Sequence, residues 1–270
     1  MTVTFIGGGN MATAMIGGLL KKGWSADAIR VVEIDAGARA RLARELKVKA
    51  VAELGPDAAG AECIVLAVKP QQMREAARAL HPMLASQLLV TIAAGIGLRD
   101  LSRWLGGYQR LVRVMPNTPA LVLAGISGLC AMPAVCAEDR ARAEEIMGAV
   151  GTTLWLDREE QMDAITAVSG SGPAYVFYFI EALQLAASEL GFEAADARRL
   201  ALETFAGAVK LARTSGEDSA TLRARVTSKG GTTERALGVM EAQALKEIVV
   251  RAVRAAAARS RELGEELGSQ

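Results

Sequence analysis

Short β-branched apolar runs alternate with longer segments of helical period along the first part of the chain. The runs are Val3–Ile6, Arg30–Ile34, Cys63–Val68, Leu88–Ala93, Arg110–Met115, Ile126–Met132 and Thr153–Leu156. Between several of them lie Ala/Leu/Arg segments with helical spacing: Ala36–Leu46, Gln71–Leu80 and Glu138–Val150. Strands that alternate with helices predict βαβ units and a mostly parallel sheet. From about Asp157 the β signal stops. The remainder is rich in Ala, Leu, Glu and Arg, keeps a helical period, and is expected to break at Ser169–Gly172, Gly191, Ser215-Gly216 and Lys229–Gly231. This change divides the chain into an α/β domain over residues 1–157 and an all-helical domain over 158–270.

Two apolar stretches need separate treatment. Thr2 to Leu20 is interrupted by Gly7-Gly8-Gly9-Asn10, and its charges, Lys21 and Lys22, follow it. It reads as strand, turn and helix rather than a secretion signal. Pro173 to Leu190 carries Glu181, Gln184 and Glu189, which a spanning helix would bury at high cost. It reads instead as a helix buried in a bundle or a subunit interface.

Composition narrows the partners. With 270 residues, 51% hydrophobic and 23% charged, the chain can build a packed core. Lys+Arg is 31 and Asp+Glu is 30, a net charge of +1, which argues against nucleic acid or an anionic membrane surface. Cys63, Cys130 and Cys136 form no metal-ligand spacing, so no metal is expected, and an odd count fits a reducing cytoplasm.

The strand Val3–Ile6 leads into Gly7-Gly8-Gly9-Asn10-Met11-Ala12 and then a helix. This is G-x-G-x-x-A in the context that a dinucleotide fingerprint requires. Gly7 permits the tight turn, Gly9 lets the backbone approach a pyrophosphate, and Ala12 allows close helix–strand packing. The helix N-terminus adds free N–H groups and the positive end of its dipole. Glu33, near the end of the second strand, is placed to accept hydrogen bonds from the adenosine ribose, which favours NADH over NADPH. The first domain is therefore expected to be a Rossmann fold, with ligand beyond the carboxyl ends of its strands. Three loops leave those ends with small residues and prolines: Val68-Lys69-Pro70-Gln71, Ala93-Ala94-Gly95 and Met115-Pro116-Asn117-Thr118-Pro119. They suit close contact with a flat cofactor, though ordinary turn chemistry would also use them.

Reducing a carbonyl usually needs a positioned proton donor. The only histidine, His81, reads as a helix C-terminal residue, and Lys69 as an acid, a phosphate contact or a solvated lysine. A protonated imine needs less help, because it already carries positive charge and accepts hydride directly.

The helical part holds two polar islands, Ser169-Gly170-Ser171-Gly172-Pro173-Ala174-Tyr175 and Val226-Thr227-Ser228-Lys229-Gly230-Gly231-Thr232-Thr233-Glu234. The second has the makings of an anion site or of a capped interhelical turn. Together with Gly7–Ala12, Ala67–Gln71 and Arg113–Pro119, these motifs resemble the Δ1-pyrroline-5-carboxylate reductase family over essentially the whole chain. Lys229 stands where that family usually has proline.

The resemblance implies a Rossmann domain followed by an all-α dimerisation domain that interlocks with its twofold mate, and possible growth into a larger ring. It implies NADPH or NADH as cofactor, held by Gly7, Gly8, Gly9, Asn10, Met11, Glu33, Ala67, Val68, Lys69, Pro70, Ala94, Gly95 and Asn117. The substrate would be 1-pyrroline-5-carboxylate and the product L-proline. Gly230, Gly231 and Thr232 would hold the carboxylate, Thr233 the ring nitrogen, and Ser228 would lie close to nicotinamide and substrate. Two rivals stand beside this reading. One is another imine or hydroxy-acid reductase of the same architecture, although a hydroxy-acid enzyme would want a catalytic Lys or His in the helical part. The other is a non-catalytic dinucleotide-binding protein, which would have no reason to keep Val226–Thr233.

Overall fold

The computed structural model describes residues 1–269. Its contacts divide the chain into two units: residues 1–171 with 256–270, and residues 172–255. Each is described by itself.

The first unit is an eight-stranded sheet. In chain order it comprises β1 (Val3–Ile6), α1 (Asn10–Lys21), β2 (Ile29–Val32), α2 (Ala36–Leu46), β3 (Lys49–Val51), α3 (Pro56–Ala59), β4 (Cys63–Leu66), α4 (Pro70–Leu80), β5 (Leu88–Thr91), α5 (Leu98–Trp104), β6 (Leu111–Met115), β7 (Gly125–Ala131), α6 (Ala137–Gly148), β8 (Gly151–Trp155) and α7 (Gln161–Ile165). The strand order is β3-β2-β1-β4-β5-β6-β7-β8. Every pairing is parallel except β6 with β7. Chain order reverses at β1, between β2 and β4, and that reversal opens a crevice at the carboxyl ends of the strands.

The central strands are mostly apolar because both of their faces are covered, with Thr4 and Thr91 the buried polar exceptions in β1 and β5. Alternate side chains enter opposite layers. Val3, Phe5, Cys63, Val65, Leu88 and Val90 pack with Met15, Ile16 and Leu19 of α1. Ile6, Ile64, Leu66 and Leu89 pack with Met73, Ala77 and Leu80 of α4. The buried Asp139 of α6 is held by Arg110 at 2.8 and 3.0 Å, so its charge is compensated.

The structure corrects three local expectations. Strand β2 stops at Val32, so Glu33 lies just beyond its carboxyl end. Lys49–Val51 forms an additional short strand at the sheet edge. The expected break at Ser169–Gly172 is instead a π-helical turn over Thr166–Gly170 that continues α7. Thr166 and Ser169 donate their hydroxyls to the carbonyls of Met162 and Ile165, and the Ser171 N–H reaches the Thr166 carbonyl at 2.8 Å. These bonds satisfy the backbone that a Ser/Gly cluster would otherwise expose.

The second unit is helical: α8 (Gly172–Glu189), α9 (Ala194–Ser215), α10 (Ser219–Arg225), α11 (Thr232–Ala242) and the first part of α12 (Leu245–Gly268). Pro173 stands in the first turn of α8, where its missing N–H costs nothing. The α8–α9 turn is made by Gly191 at φ +96°, and α9 ends on Gly216 at φ +69°. Helix α8 is not buried within its own chain. Only Ile180 is, while Phe177 is 64% and Tyr178 72% exposed. Of the two expectations for this helix, bundle core or subunit interface, a bundle within one chain does not hold.

Candidate functional site

The glycine-rich turn leaves β1 at Ile6, and Gly7 adopts φ +99°. A Cβ on Gly7 would stand 2.7 Å from the Ala67 carbonyl oxygen, so only glycine fits here. A Cβ on Gly9 would meet nothing within 4 Å. Gly9 therefore fronts open space, as a residue against a ligand would. It is also the N-cap of α1, and no side chain caps that helix, which leaves the first N–H groups free. Positive potential and open donors meet where a pyrophosphate would lie.

A groove of about 440 Å³ follows from this turn, lined among others by Gly7, Gly9, Glu33, Ala67, Val68 and Lys69. It thus gathers six of the expected cofactor residues. Gly8, Asn10, Met11 and Pro70 adjoin it without lining it, while Ala94-Gly95 and Asn117 follow β5 and β6, further along the same sheet edge. Lys69 is the exposed N-cap of α4, and Pro70 fills the first position of that helix.

Glu33 is fixed before any ligand arrives. One carboxylate oxygen accepts the Gly8 N–H at 2.7 Å and the other the Asp35 N–H at 2.9 Å. Arg39 donates to the carbonyls of Glu33 and Ile34, both at 2.8 Å, which pins the backbone beneath the carboxylate. Asn117 is nearly buried, and its amide is already used. Its oxygen accepts the Ile126 N–H at 3.0 Å, and its nitrogen donates to the Ser169 carbonyl at 3.2 Å. It ties the loop after β6 to β7 and to the π-turn.

Sequence reasoning missed one wall of the groove. Gln72, Glu75, Ala76 and Ala79 line it from α4, and Ala52 and Leu54 from the segment after β3. The spacing of the α4 residues is a helical stripe, and that was the available signal. The thiol of Cys63 supplies no nucleophile, because complete burial in β4 pushes its pKa far up.

In the second unit, the segment between α10 and α11 carries the other island. Gly230 takes φ +72°, and Gly231 caps α11 with no side-chain help. The Gly231 N–H donates to the Ser228 carbonyl at 3.0 Å. The Gly230 N–H donates to a carboxylate oxygen of Glu234 at 2.6 Å. The N–H groups of Thr232 and Thr233, in the first turn, are left for another acceptor. The loop therefore already binds one carboxylate, its own, and keeps donors for a second. Gly230, Gly231 and Glu234 line a shallow depression of about 510 Å³ with Arg235, Gly238, Val239 and Ala242. Thr233 is half-buried and Ser228 exposed.

Comparison with known proteins agrees with both halves. The family model for pyrroline-5-carboxylate reductase dimerisation matches residues 159–263. A model described as NADP oxidoreductase coenzyme F420-dependent matches residues 2–95. The chain is 46% identical over 267 residues to pyrroline-5-carboxylate reductase of Pseudomonas aeruginosa, covering 98% of each. The solved pyrroline-5-carboxylate reductase of Coxiella burnetii superposes with a TM-score of 0.93 at 39% identity, covering 97% of this chain and 98% of the other. The Plasmodium falciparum pyrroline carboxylate reductase, solved with NADP bound, gives 0.86 at 28% identity over 98% of both chains.

Proposed function

The chain belongs to the pyrroline-5-carboxylate reductase family, and from that premise we propose how its two half-sites divide the work. It is an oxidoreductase that reduces 1-pyrroline-5-carboxylate to L-proline, the last step of proline synthesis, with a nicotinamide dinucleotide. The observation that carries the division is the pair of uncapped helix N-termini, α1 after Gly9 and α11 after Gly231. Each presents unpaired N–H groups, one pair of partners being a pyrophosphate and a substrate carboxylate.

On the cofactor side, Gly7, Gly8, Gly9, Asn10 and Met11 form the pyrophosphate turn, with Ala67, Val68, Lys69, Pro70, Ala94, Gly95 and Asn117 along the sheet edge. The fit is physical: the backbone comes close at Gly7, stays open at Gly9 and offers free N–H groups. Glu33 reads the ribose, and its fixed carboxylate repels a 2′-phosphate, so NADH is preferred over NADPH. The cofactor, when bound, supplies a hydride. On the substrate side, residues 158–270 carry Gly230, Gly231, Thr232 and Thr233, whose backbone holds the carboxylate. The Thr233 hydroxyl holds the ring nitrogen, and Ser228 bounds the reacting ring. The imine enters protonated, so the new C–H bond and the loss of the C=N π bond leave a neutral ring amine without a proton from the protein. The chain's task is orientation. The protein acts in the cytoplasm as a homodimer assembled further into a ring.

Thr233→Val tests the substrate half. A hydrogen bond to a charged group is worth about 1.5–3 kcal/mol. Its loss lowers kcat/KM for pyrroline-5-carboxylate by about 10- to 100-fold. Cofactor affinity, read by NADH fluorescence, is expected to hold. Thr233→Ser keeps the hydroxyl and more of the activity. Parent-level turnover by the valine variant would reduce Thr233 to a residue of the helix turn.

A further inference from the structure

The loop after β5 has little of its own to hold it in place. Gly95 adopts φ +75°, and among the described residues neither the Ala94 nor the Gly95 N–H finds an acceptor. Unpaired donors suit a loop that meets a ligand, but a turn whose nearest side-chain bond is the long one from the Ala93 N–H to Thr91, at 3.4 Å, keeps its position best if something outside it helps.

The last turns of α12 do this. They belong to the first unit, and several contacts fix them there. Leu267 packs into the core layer that contains Ala93 and Ile96. Its Cδ1 stands 2.9 Å from where a Gly95 Cβ would be, and the Leu263 carbonyl lies 3.8 Å from the same point. Gly264 approaches the Gly95 carbonyl, with 3.6 Å from its own Cβ position. Arg103 donates to the Gly268 carbonyl at 2.7 Å while paired with Asp100 at 2.9 Å. That places a cation on the negative end of α12. Gly268 has no room for a side chain, since a Cβ would meet the Asp100 carboxylate at 2.3 Å. Further back, the buried Ser260 hydroxyl donates to Asp163 at 2.7 Å. On the other side of the loop, Glu159 accepts the Leu98 N–H at 2.7 Å and Arg113 at 2.8 Å, which anchors the start of α5.

We propose that Leu267 is a positioning residue for the cofactor loop Ala94-Gly95, latched in place by the Arg103–Gly268 contact. The side chain does not touch the reacting groups. It sets the height of the Gly95 backbone and with it the direction of the two free N–H groups. This inference rests on the reading that Ala94 and Gly95 meet the cofactor.

Leu267→Ala removes the wedge, Leu267→Met restores its volume with an unbranched chain, and Arg103→Ala opens the latch. The dissociation constant for NADH is measured by fluorescence titration without substrate, and KM values for both reactants in steady state. The expected result for Leu267→Ala is a rise of about 5- to 10-fold in the NADH dissociation constant and KM. KM for pyrroline-5-carboxylate is expected to stay within about twofold of the parent. Leu267→Met returns the NADH constants most of the way, and Arg103→Ala moves them in the same direction by less. Unchanged NADH affinity in a folded Leu267→Ala protein overturns the proposal, as does an equal rise in both KM values. Ala94→Leu tests the underlying reading separately. If that bulk leaves NADH affinity untouched, the loop does not meet the cofactor, whatever Leu267 does.

Discussion

Strands β1, β4 and β5 of the first unit bury every side chain, whereas α8 of the second, apolar over most of its length, buries only Ile180. In the whole stretch from 172 to 255 the only hydrophobic residues buried among those described are Ile180, Ala197 and Ala201. The first unit completes its core from its own chain, in two layers that sandwich a sheet. The second exposes Phe177, Tyr178, Leu185, Val209, Leu211 and Val239 on its helices. A surface so apolar exceeds what a stable monomer shows to water and marks a place for another chain. The dimerisation family model over residues 159–263 falls on this same part of the chain. The difference teaches where damage should spread. A fault in the first unit should stay local, and a fault on the apolar face of the second should take assembly with it.

The strongest way to break that comparison is Phe177→Glu. The ring is mostly exposed within its own chain, so a carboxylate there disturbs little in a lone protomer. Buried in an apolar interface without a partner, it costs several kcal/mol on each side of a twofold axis. The expected outcome in analytical ultracentrifugation is loss of the dimer, with reductase activity falling below detection. An active monomer at micromolar concentration would show that the second unit stands alone and that its exposed apolar face has another purpose.

A smaller effect sharpens the comparison from the side of the first unit. Gly7→Ala forces a Cβ against the Ala67 carbonyl and a left-handed φ on alanine, about 1–3 kcal/mol of strain. Gly9→Ala meets no protein atom and keeps an ordinary φ of −68°, so only a ligand lying against the turn, as proposed for the pyrophosphate, would feel it. Both variants are expected to lose NADH affinity, about 10- to 100-fold. Only Gly7→Ala should also lower the melting temperature, and both should remain dimers. If Gly9→Ala melts early or Gly7→Ala dissociates, damage in the first unit is not local.

The same contrast explains what could be read from the sequence. The Gly7–Ala12 turn and the flanking strand and helix are local chemistry, so their residues announce them. The helix over Ala36–Leu46 came out with the expected ends, because Asp35 caps it through the Ala38 N–H at 2.6 Å. Strand β3 was invisible, because Lys49-Ala50-Val51 is too short to show a period and forms only by pairing with β2 at the edge. The Ser/Gly island at 169–172 reads as a break until tertiary structure is known. The Asn117 amide that reaches Ser169 lies 52 positions earlier in the chain. The α4 wall of the groove looks like an ordinary polar helix face until the topology sets β4 beside β1. The approach of Leu267 to Gly95 leaves no local trace at all.

The finest adjustment concerns Glu33 and alters neither fold nor assembly. Its carboxylate is held by two N–H groups, so it cannot swing away from a 2′-phosphate without giving up both bonds. Each such bond to a charged group is worth about 1.5–3 kcal/mol, comparable to the repulsion it would escape. Glu33→Ser removes the charge and leaves room for the phosphate, while Arg39, bound to the Glu33 and Ile34 carbonyls, stays nearby as a cation. The ratio of kcat/KM for NADPH over NADH is expected to rise by about 5- to 20-fold, the scale of one lost like-charge contact. On the proposed reading, part of the change comes from weaker NADH binding, because the ribose would lose its acceptor and Gly8 loses its partner. The two causes separate by titration. Relief of repulsion tightens NADPH in absolute terms, whereas loss of the Gly8 contact weakens both cofactors alike. An unchanged ratio means that Glu33 serves only to brace the glycine turn and that cofactor choice is made elsewhere in the groove.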